Sequence, residues 1–253
     1  MKDLEVYLIN LDRSPQRFKV MEKRLLKLGL KFTRISAVDG KNTIFDDTQI
    51  DENKYEFCHG KYITPTEVAC YISHYNTMET FLKSEKKYAL ILEDDIIFND
   101  NFMDVLNMLM KQPDDWDLVK FNGAHGGGKI KYKTILPNVS LVFNLFHQSK
   151  CGAYLINKKA ANSYVSKLLP MFVPIDHEYI KFWKYGIKGF SVFPFPTMEE
   201  GVESTIDYKM MRKNRKPWYK KFSVFLYKTY VTFCRMVWVF TEVLKNRFTF
   251  VKK

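Results

Sequence analysis

Three consecutive carboxylates, Glu93, Asp94 and Asp95, close the apolar run Ala89 to Leu92, and Ile96, Ile97 and Phe98 follow them. Like charges this close repel, so one carboxyl stays protonated unless a cation sits between them. Oxygen donors on a half-open edge suit Mg²⁺ or Mn²⁺, which keep coordination positions free for substrate phosphates. A solvated turn capped by acids is the plainer alternative. In an extended chain Glu93 and Asp95 share one face and Asp94 takes the other. Asp176 follows Pro174 in or beside the first turn of a helix. The helix dipole stabilises a carboxylate there, which makes it a cap, and a general base in a cleft suits the same position. Asn10, Arg13 and Arg17 follow an early apolar run, where they could hold a base or a phosphate; solvated surface is the other reading of the arginines. Cys58-His59 and Cys70 with His74 offer zinc ligands, but the knuckle spacing is absent, and a buried, hydrogen-bonded His74 beside Ser73 is the simpler account.

The elements that must carry these residues read as alternating strands and helices. Leu4 to Leu11 is a first buried strand, and Ser14-Pro15 caps and opens a helix with Phe18, Met21, Leu25 and Leu28 on one stripe. Gly29 ends that helix and Lys31 to Val38 is a second strand, so a parallel pair is expected. Lys41 to Lys61 reads as a long loop. Thr64, Pro65 and Glu67 form a capping box for a largely buried helix. The run before the acids is short and wholly apolar, as in a parallel strand covered on both faces, and ligands to such sheets sit beyond the carboxyl ends of the strands. A helix over Asp100 to Lys111 and strands at Trp116 to Asn122, Val139 to Phe146, Gly152 to Ile156 and Phe190 to Phe195 complete the pattern, with Asn157 capping one more helix. Gly126-Gly127-Gly128 lacks the Lys-Ser/Thr ending of a phosphate loop and reads as a mobile lid.

The charge is unevenly placed. Residues 209–253 hold thirteen Lys or Arg against one acid, Glu242, which accounts for the whole net charge of +12. The first 208 residues are neutral, so the expected division is a domain over 1–208 and a basic tail over 209–253. In the tail Phe222, Phe225, Leu226, Phe233, Val237, Phe240 and Leu244 recur at helical spacing, and Lys221, Lys228, Arg235 and Glu242 form a narrow polar stripe. That is the pattern of an interfacial helix at an anionic membrane. A helix docked on the domain or pairing with another copy in a homodimer is the alternative. No nucleic-acid recognition module is present. The four scattered cysteines fit a reducing compartment. The N-terminus lacks the apolar core of a signal peptide, and no run is long enough to span a bilayer.

Six segments together resemble glycosyltransferase family 25, the lipooligosaccharide galactosyltransferase family: YLINLDRSPQR at 7–17, AVDGK at 37–41, TPTEVACYISHY at 64–75, LILEDDIIF at 90–98, CGAYLINKKAA at 151–161 and PIDHEY at 174–179. The resemblance implies an α/β fold of GT-A type, a Rossmann-like nucleotide-sugar-binding sheet, here followed by the basic amphipathic tail. It implies a metal-dependent, inverting hexosyltransferase that moves galactose from UDP-galactose onto a lipooligosaccharide or lipopolysaccharide acceptor. Carried over by motif, Asp95 and Glu93 are the Mn²⁺ (or Mg²⁺) ligands, Asn10, Arg13, Glu93 and Asp94 face the nucleotide sugar, and Asp176 is the base. Thr66 stands where many members have glycine. A lipid-linked acceptor places the enzyme on the cytoplasmic face of a bacterial inner membrane. A glucosyltransferase using UDP-glucose, or a non-catalytic saccharide-binding or scaffold protein, is the competing expectation.

Overall fold

The computed structural model describes residues 2–124, 128–201 and 221–250. The triglycine segment expected to act as a lid, the boundary between residues 208 and 209 and the basic cluster from Lys209 to Lys221 lie wholly or in part outside the described residues. The chain begins with β1 (Leu4–Asn10), α1 (Pro15–Lys27) and β2 (Thr33–Ser36). β1 and β2 are parallel, as a strand–helix–strand unit requires, with Asn10 opposite Ser36. Pro15 opens α1, where a missing N–H leaves no bond unmade; Ser14 makes no side-chain cap there. The segment read as one long loop contains a helix, α2 (Glu52–His59). Asp51 Oδ1 caps it by accepting from Lys54 N at 2.9 Å, and Gly60 leaves it at φ +69°. Eight residues with only Tyr55 and Cys58 buried carry too little periodicity to announce a helix.

α3 (Pro65–Lys83) is buried along most of its length. The Thr64 hydroxyl accepts from Glu67 N at 3.3 Å and donates to Glu67 Oε2 at 3.1 Å. β3 (Tyr88–Glu93) follows and lies at the heart of the sheet, Ala89 to Leu92 fully buried. Its side chains alternate between two cores: Ala89 and Ile91 join Tyr7, Ile9 and the inner face of α3, while Leu90 and Leu92 join Val6, Leu8 and α1. The chain turns at Asp94-Asp95, and β4 (Ile96–Phe98) leaves the large sheet. The acid triplet therefore straddles a turn, and strict alternation ends at Glu93.

Beyond α4 (Phe102–Lys111) come β5 (Leu118–Lys120), the hairpin β6 (Lys129–Leu136) and β7 (Val139–Asn144), then β8 (Ala153–Asn157) and α5 (Lys158–Val165). Asn157 caps α5 through a bond from Ala160 N at 2.9 Å. Two short helices, α6 (Ile175–Glu178) and α7 (Phe182–Tyr185), precede β9 (Gly189–Phe193) and β10 (Thr197–Glu199). The large sheet has the order β2-β1-β3-β8-β5-β9-β7-β6, and β4 pairs antiparallel with β10 in a separate ribbon. Six of its strands run one way; β7 and β8 oppose them. The fold is thus mixed α/β, with a parallel β2-β1-β3 half.

α8 (Lys221–Phe250) packs on this body. Val239 is buried, Trp238 packs edge-on against Phe143 and lies over Phe182, and Arg235 is buried with its guanidinium over Trp183. The Tyr227 hydroxyl accepts from Lys181 Nζ at 2.6 Å. Lys181 and Lys184 both pair with Glu178, which is buried and also accepts from the Tyr185 hydroxyl at 2.6 Å. The stripe read as polar therefore does not all face water, because Arg235 is docked. The seven apolar residues of the expected stripe stay exposed, together with Tyr230. No helix among the described residues is long and apolar enough to cross a membrane.

Candidate active site

The cleft sits where the carboxyl ends of β1 and β3 meet the first turn of α1 and the inner face of α3. Its empty volume, open mouth included, is about 770 Å³, and Asn10, Arg13, Arg17, Asp39, His74, Glu93, Asp94 and Asp95 line it. β1 and β3 are in register here, with Ile9 opposite Glu93. Asn10 is buried and donates to Asp94 Oδ2 at 2.6 Å, while its own oxygen accepts from Arg34 Nε at 3.1 Å. Arg17 pairs with Asp94 Oδ1 at 2.5 Å and with Asp95 Oδ2 at 2.9 Å. One guanidinium reaches both acids because the turn swings them to the same side. Arg13 Nε donates to Asp39 Oδ2 at 2.8 Å across the mouth. The Asp39 loop lies so close to α3 that a Cβ on Gly40 would fall 2.4 Å from the Pro65 carbonyl oxygen. Only glycine permits that approach.

The three acids have unlike surroundings. Burial pushes the Asp95 carboxyl up to about 7, and the neighbouring charge of Glu93 pushes the same way, against Arg17. Its Oδ1 is buried without a hydrogen-bond partner. Burial also raises Asp94, opposed by the bond from Asn10 and by Arg17. Glu93 continues the β3 alternation onto the α3 side and meets His74, with Nε2 and Oε1 3.0 Å apart. Burial would raise Glu93, but the His74 contact outweighs it and the carboxyl is lowered. Burial likewise opposes a charge on His74, yet hydrogen bonds with Cys70 and Glu93 raise it to about 10. Cys151 adds Sγ contacts at 3.7 Å to His74 Nε2 and 3.6 Å to Glu93 Oε1. The Cys151 hydrogen bond lowers Cys70 to about 7.

Asp176 lies on α6, away from the residues lining the cleft. Its Oδ2 accepts from Lys150 N at 3.2 Å, and Lys150 Nζ pairs with Glu199 Oε2 at 2.9 Å. Glu199 Oε1 in turn accepts from Asn122 Nδ2 at 2.9 Å. Asp176 has His147 and His177 beside it, one donor atom of each lying within 4.8 Å of the others. Burial drives both imidazoles down to about 3, so they are neutral at pH 7. Lys120 is buried nearby and held to about 8 by burial, its Nζ donating to the Gln148 carbonyl at 2.8 Å. The structure thus brings Asn10, Arg13 and the triplet to one cleft and joins Asp176 to the neighbouring loop through Lys150. Sequence reasoning missed Glu199, Lys150 and Lys120, which carry no motif. It noticed Arg17 and His74 without seeing that both hold the triplet.

The model of one family, described as "Glycosyltransferase family 25 (LPS biosynthesis protein)", matches residues 3–179, a range that includes every site residue expected from the sequence. Among similar proteins is a "Glycosyltransferase 25 family member" of Drosophila pseudoobscura pseudoobscura, 29% identical over 185 residues, covering 68% of this chain and 28% of that protein. Procollagen galactosyltransferase 2 of Homo sapiens is 26% identical over 225 residues, covering 78% and 36%. A "Probable inactive glycosyltransferase 25 family member 3" of Rattus norvegicus is 24% identical over 241 residues, covering 85% and 41%. The chain spans about a third of the length of these relatives.

Proposed function

The chain belongs to glycosyltransferase family 25, and on that premise we propose that it transfers a hexose, galactose from UDP-galactose, to a hydroxyl of a lipopolysaccharide or lipooligosaccharide saccharide, with inversion. The observation that carries this reading is Asp95, a half-buried carboxylate whose Oδ1 is buried without a hydrogen-bond partner, on a cleft that also presents Asn10, Arg13 and Arg17. A divalent cation fits that edge: the donors are carboxylate oxygens, and burial and the charge of Glu93 push Asp95 up to about 7 even with Arg17 beside it. Asp95 would hold Mn²⁺ or Mg²⁺, with Asp94 and Glu93 beside it. When bound, the ion neutralises charge that develops on the departing diphosphate.

The chain's own residues do the rest. Arg13 and Arg17 turn their guanidinium groups towards the same cleft, where they would share the diphosphate charge. Asn10 fixes the Asp94 carboxylate by donating to it. Asp176 takes the proton from the acceptor hydroxyl on the face opposite the leaving group, so attack inverts the anomeric centre. The main-chain N–H of Lys150 donates to Asp176 and holds it. The row of exposed apolar side chains on α8, flanked by basic residues, supports contact with an anionic lipid surface carrying the acceptor. The enzyme then works on the cytoplasmic face of a bacterial inner membrane.

Relatives whose names include the word inactive keep a second reading open, a saccharide-binding protein without turnover. Incubation with UDP-galactose and Mn²⁺ separates the two. Release of UDP, abolished by chelator and by Asp95→Ala, supports the transferase; binding of UDP-galactose with no UDP release in any divalent ion refutes it. A panel of UDP-sugars tested for protection against thermal unfolding identifies the donor.

A further inference from the structure

The inner wall of the cleft holds a second constellation, which shares only Glu93 with the proposed sugar-transfer site. The Sγ of Cys70, a ring nitrogen of His74, a carboxylate oxygen of Glu93 and the Sγ of Cys151 all lie within 4.8 Å of one another. They come from three separate elements: Cys70 and His74 stand one turn apart on α3, Glu93 ends β3, and Cys151 leads into β8, the antiparallel neighbour of β3. We propose that these four residues form a tetrahedral zinc site.

The geometry is that of a zinc polyhedron closed around its centre. Zinc bonds of about 2.3 Å to sulfur and about 2.0 Å to nitrogen or oxygen set tetrahedral edges of about 3.5 Å from sulfur to nitrogen or oxygen and about 3.3 Å from nitrogen to oxygen. The corresponding separations are 3.7 Å for Cys151 Sγ to His74 Nε2, 3.6 Å for Cys151 Sγ to Glu93 Oε1, and 3.0 Å for His74 Nε2 to Glu93 Oε1. A plain hydrogen-bonded cluster explains the last distance but gives no reason for two thiols to converge on it. The other nitrogen of His74, Nδ1, lies 3.0 Å from the Tyr154 hydroxyl. That is the outer-shell bond that fixes the ring of a ligating imidazole.

Donor chemistry separates this site from the acidic edge of the same cleft. Two thiolates and an imidazole select zinc, whereas the carboxylates of Asp94 and Asp95 suit hard ions such as Mn²⁺. Four protein ligands leave no open position, so the zinc is structural. It ties α3 to β3 and β8 and holds the first carboxylate of the triplet in place. Cys70, His74 and Glu93 line the cleft, which gives the ion a path in. The proposal does not depend on sugar transfer.

The test uses the full chain, reduced, stripped with chelator and titrated with Co²⁺ and then Zn²⁺. The expected result is one equivalent of Co²⁺ per chain, with the intense visible bands of a tetrahedral ion and near-ultraviolet thiolate charge transfer. One equivalent of Zn²⁺ displaces the bound Co²⁺ and raises the Tm, and excess Mn²⁺ leaves the Co²⁺ in place. C70S and C151S each lose most of the charge-transfer intensity, while a C58A/C234A variant keeps all of it. Should the serine variants fail to fold, the cobalt spectrum of the unaltered chain decides alone. The proposal is overturned if Co²⁺ binds without thiolate bands, if it does not bind stoichiometrically, if C70S and C151S both bind as the parent does, or if the chain is recovered with a Cys70–Cys151 disulfide and takes up no zinc after reduction.

Discussion

Replacing Asp95 by asparagine should make the metal-free protein more stable, and the gain should grow with pH. The Asp95 carboxyl is raised from 3.8 to about 7, first by burial and then by the charge of Glu93. In the unfolded chain it ionises near its ordinary value. Between the two values the folded protein holds a proton that the unfolded chain has released, so stability falls as pH rises through this window. Below about pH 4 both states are protonated and the cost is absent; above about pH 7 it is complete. A shift of about 3 units corresponds to about 4 kcal/mol at most. Glu93, Asp94 and Glu199 can relax around an ionised Asp95, and about 2 kcal/mol is the working expectation. In a domain of this size that is about 4–8 °C in Tm. Calorimetric unfolding of the parent and Asp95→Asn in chelator, from pH 4 to pH 8, measures it. The two curves should meet at pH 4 and part steadily towards pH 8. In Mn²⁺ the order should reverse, because only the parent gains from the ion. An Asp95→Asn protein less stable than the parent at pH 8 in chelator, or a gap that ignores pH, would refute the electrostatic argument.

Asp176→Asn should lower the rate of transfer by about 10²–10⁴-fold with UDP binding unchanged by calorimetry; full turnover would remove Asp176 from the base role. Arg17→Ala leaves Asp94 and Asp95 without their shared cation and should cost about 3 kcal/mol in chelator at pH 8 by urea unfolding; a neutral result would mean that water already serves the carboxylates. Glu178→Gln strips two lysines of their buried partner and should cost about 3–5 kcal/mol, while leaving UDP affinity intact. The chain ended at residue 208 should lose stability, because Trp238 and Val239 leave the core, and should no longer sediment with anionic vesicles. If it still sediments, α8 is not the anchor.

Some of this was written in local sequence and some was not. The Asp51–Gly60 helix is an instructive miss, since a cap at each end and two buried residues do not amount to a pattern. α8 is another kind of case. Its aromatic spacing gave a helix, but the spacing could not say which face would dock. The aromatic stripe stayed outside, while Arg235 and Val239 were buried and Trp238 packed half-buried against the core. His74 was readable as a buried histidine on α3; its partners, Glu93, Tyr154 and Cys151, are set by strands distant in sequence.

What the sequence determined by itself is the set of short-range facts: apolar runs that must be strands, caps that start helices, three acids at the end of a buried strand, and motifs that name the family. Local sterics and burial decide those within a few residues. The tertiary structure alone decided how the acids divide their work. A turn after Glu93 swings Asp94 and Asp95 towards Arg17, and the β3 alternation sends Glu93 the other way, to His74 and the cysteines. Charge and coordination act through space over a few ångströms, and only the packing of α1, α3 and β8 around β3 fixes which groups stand that close.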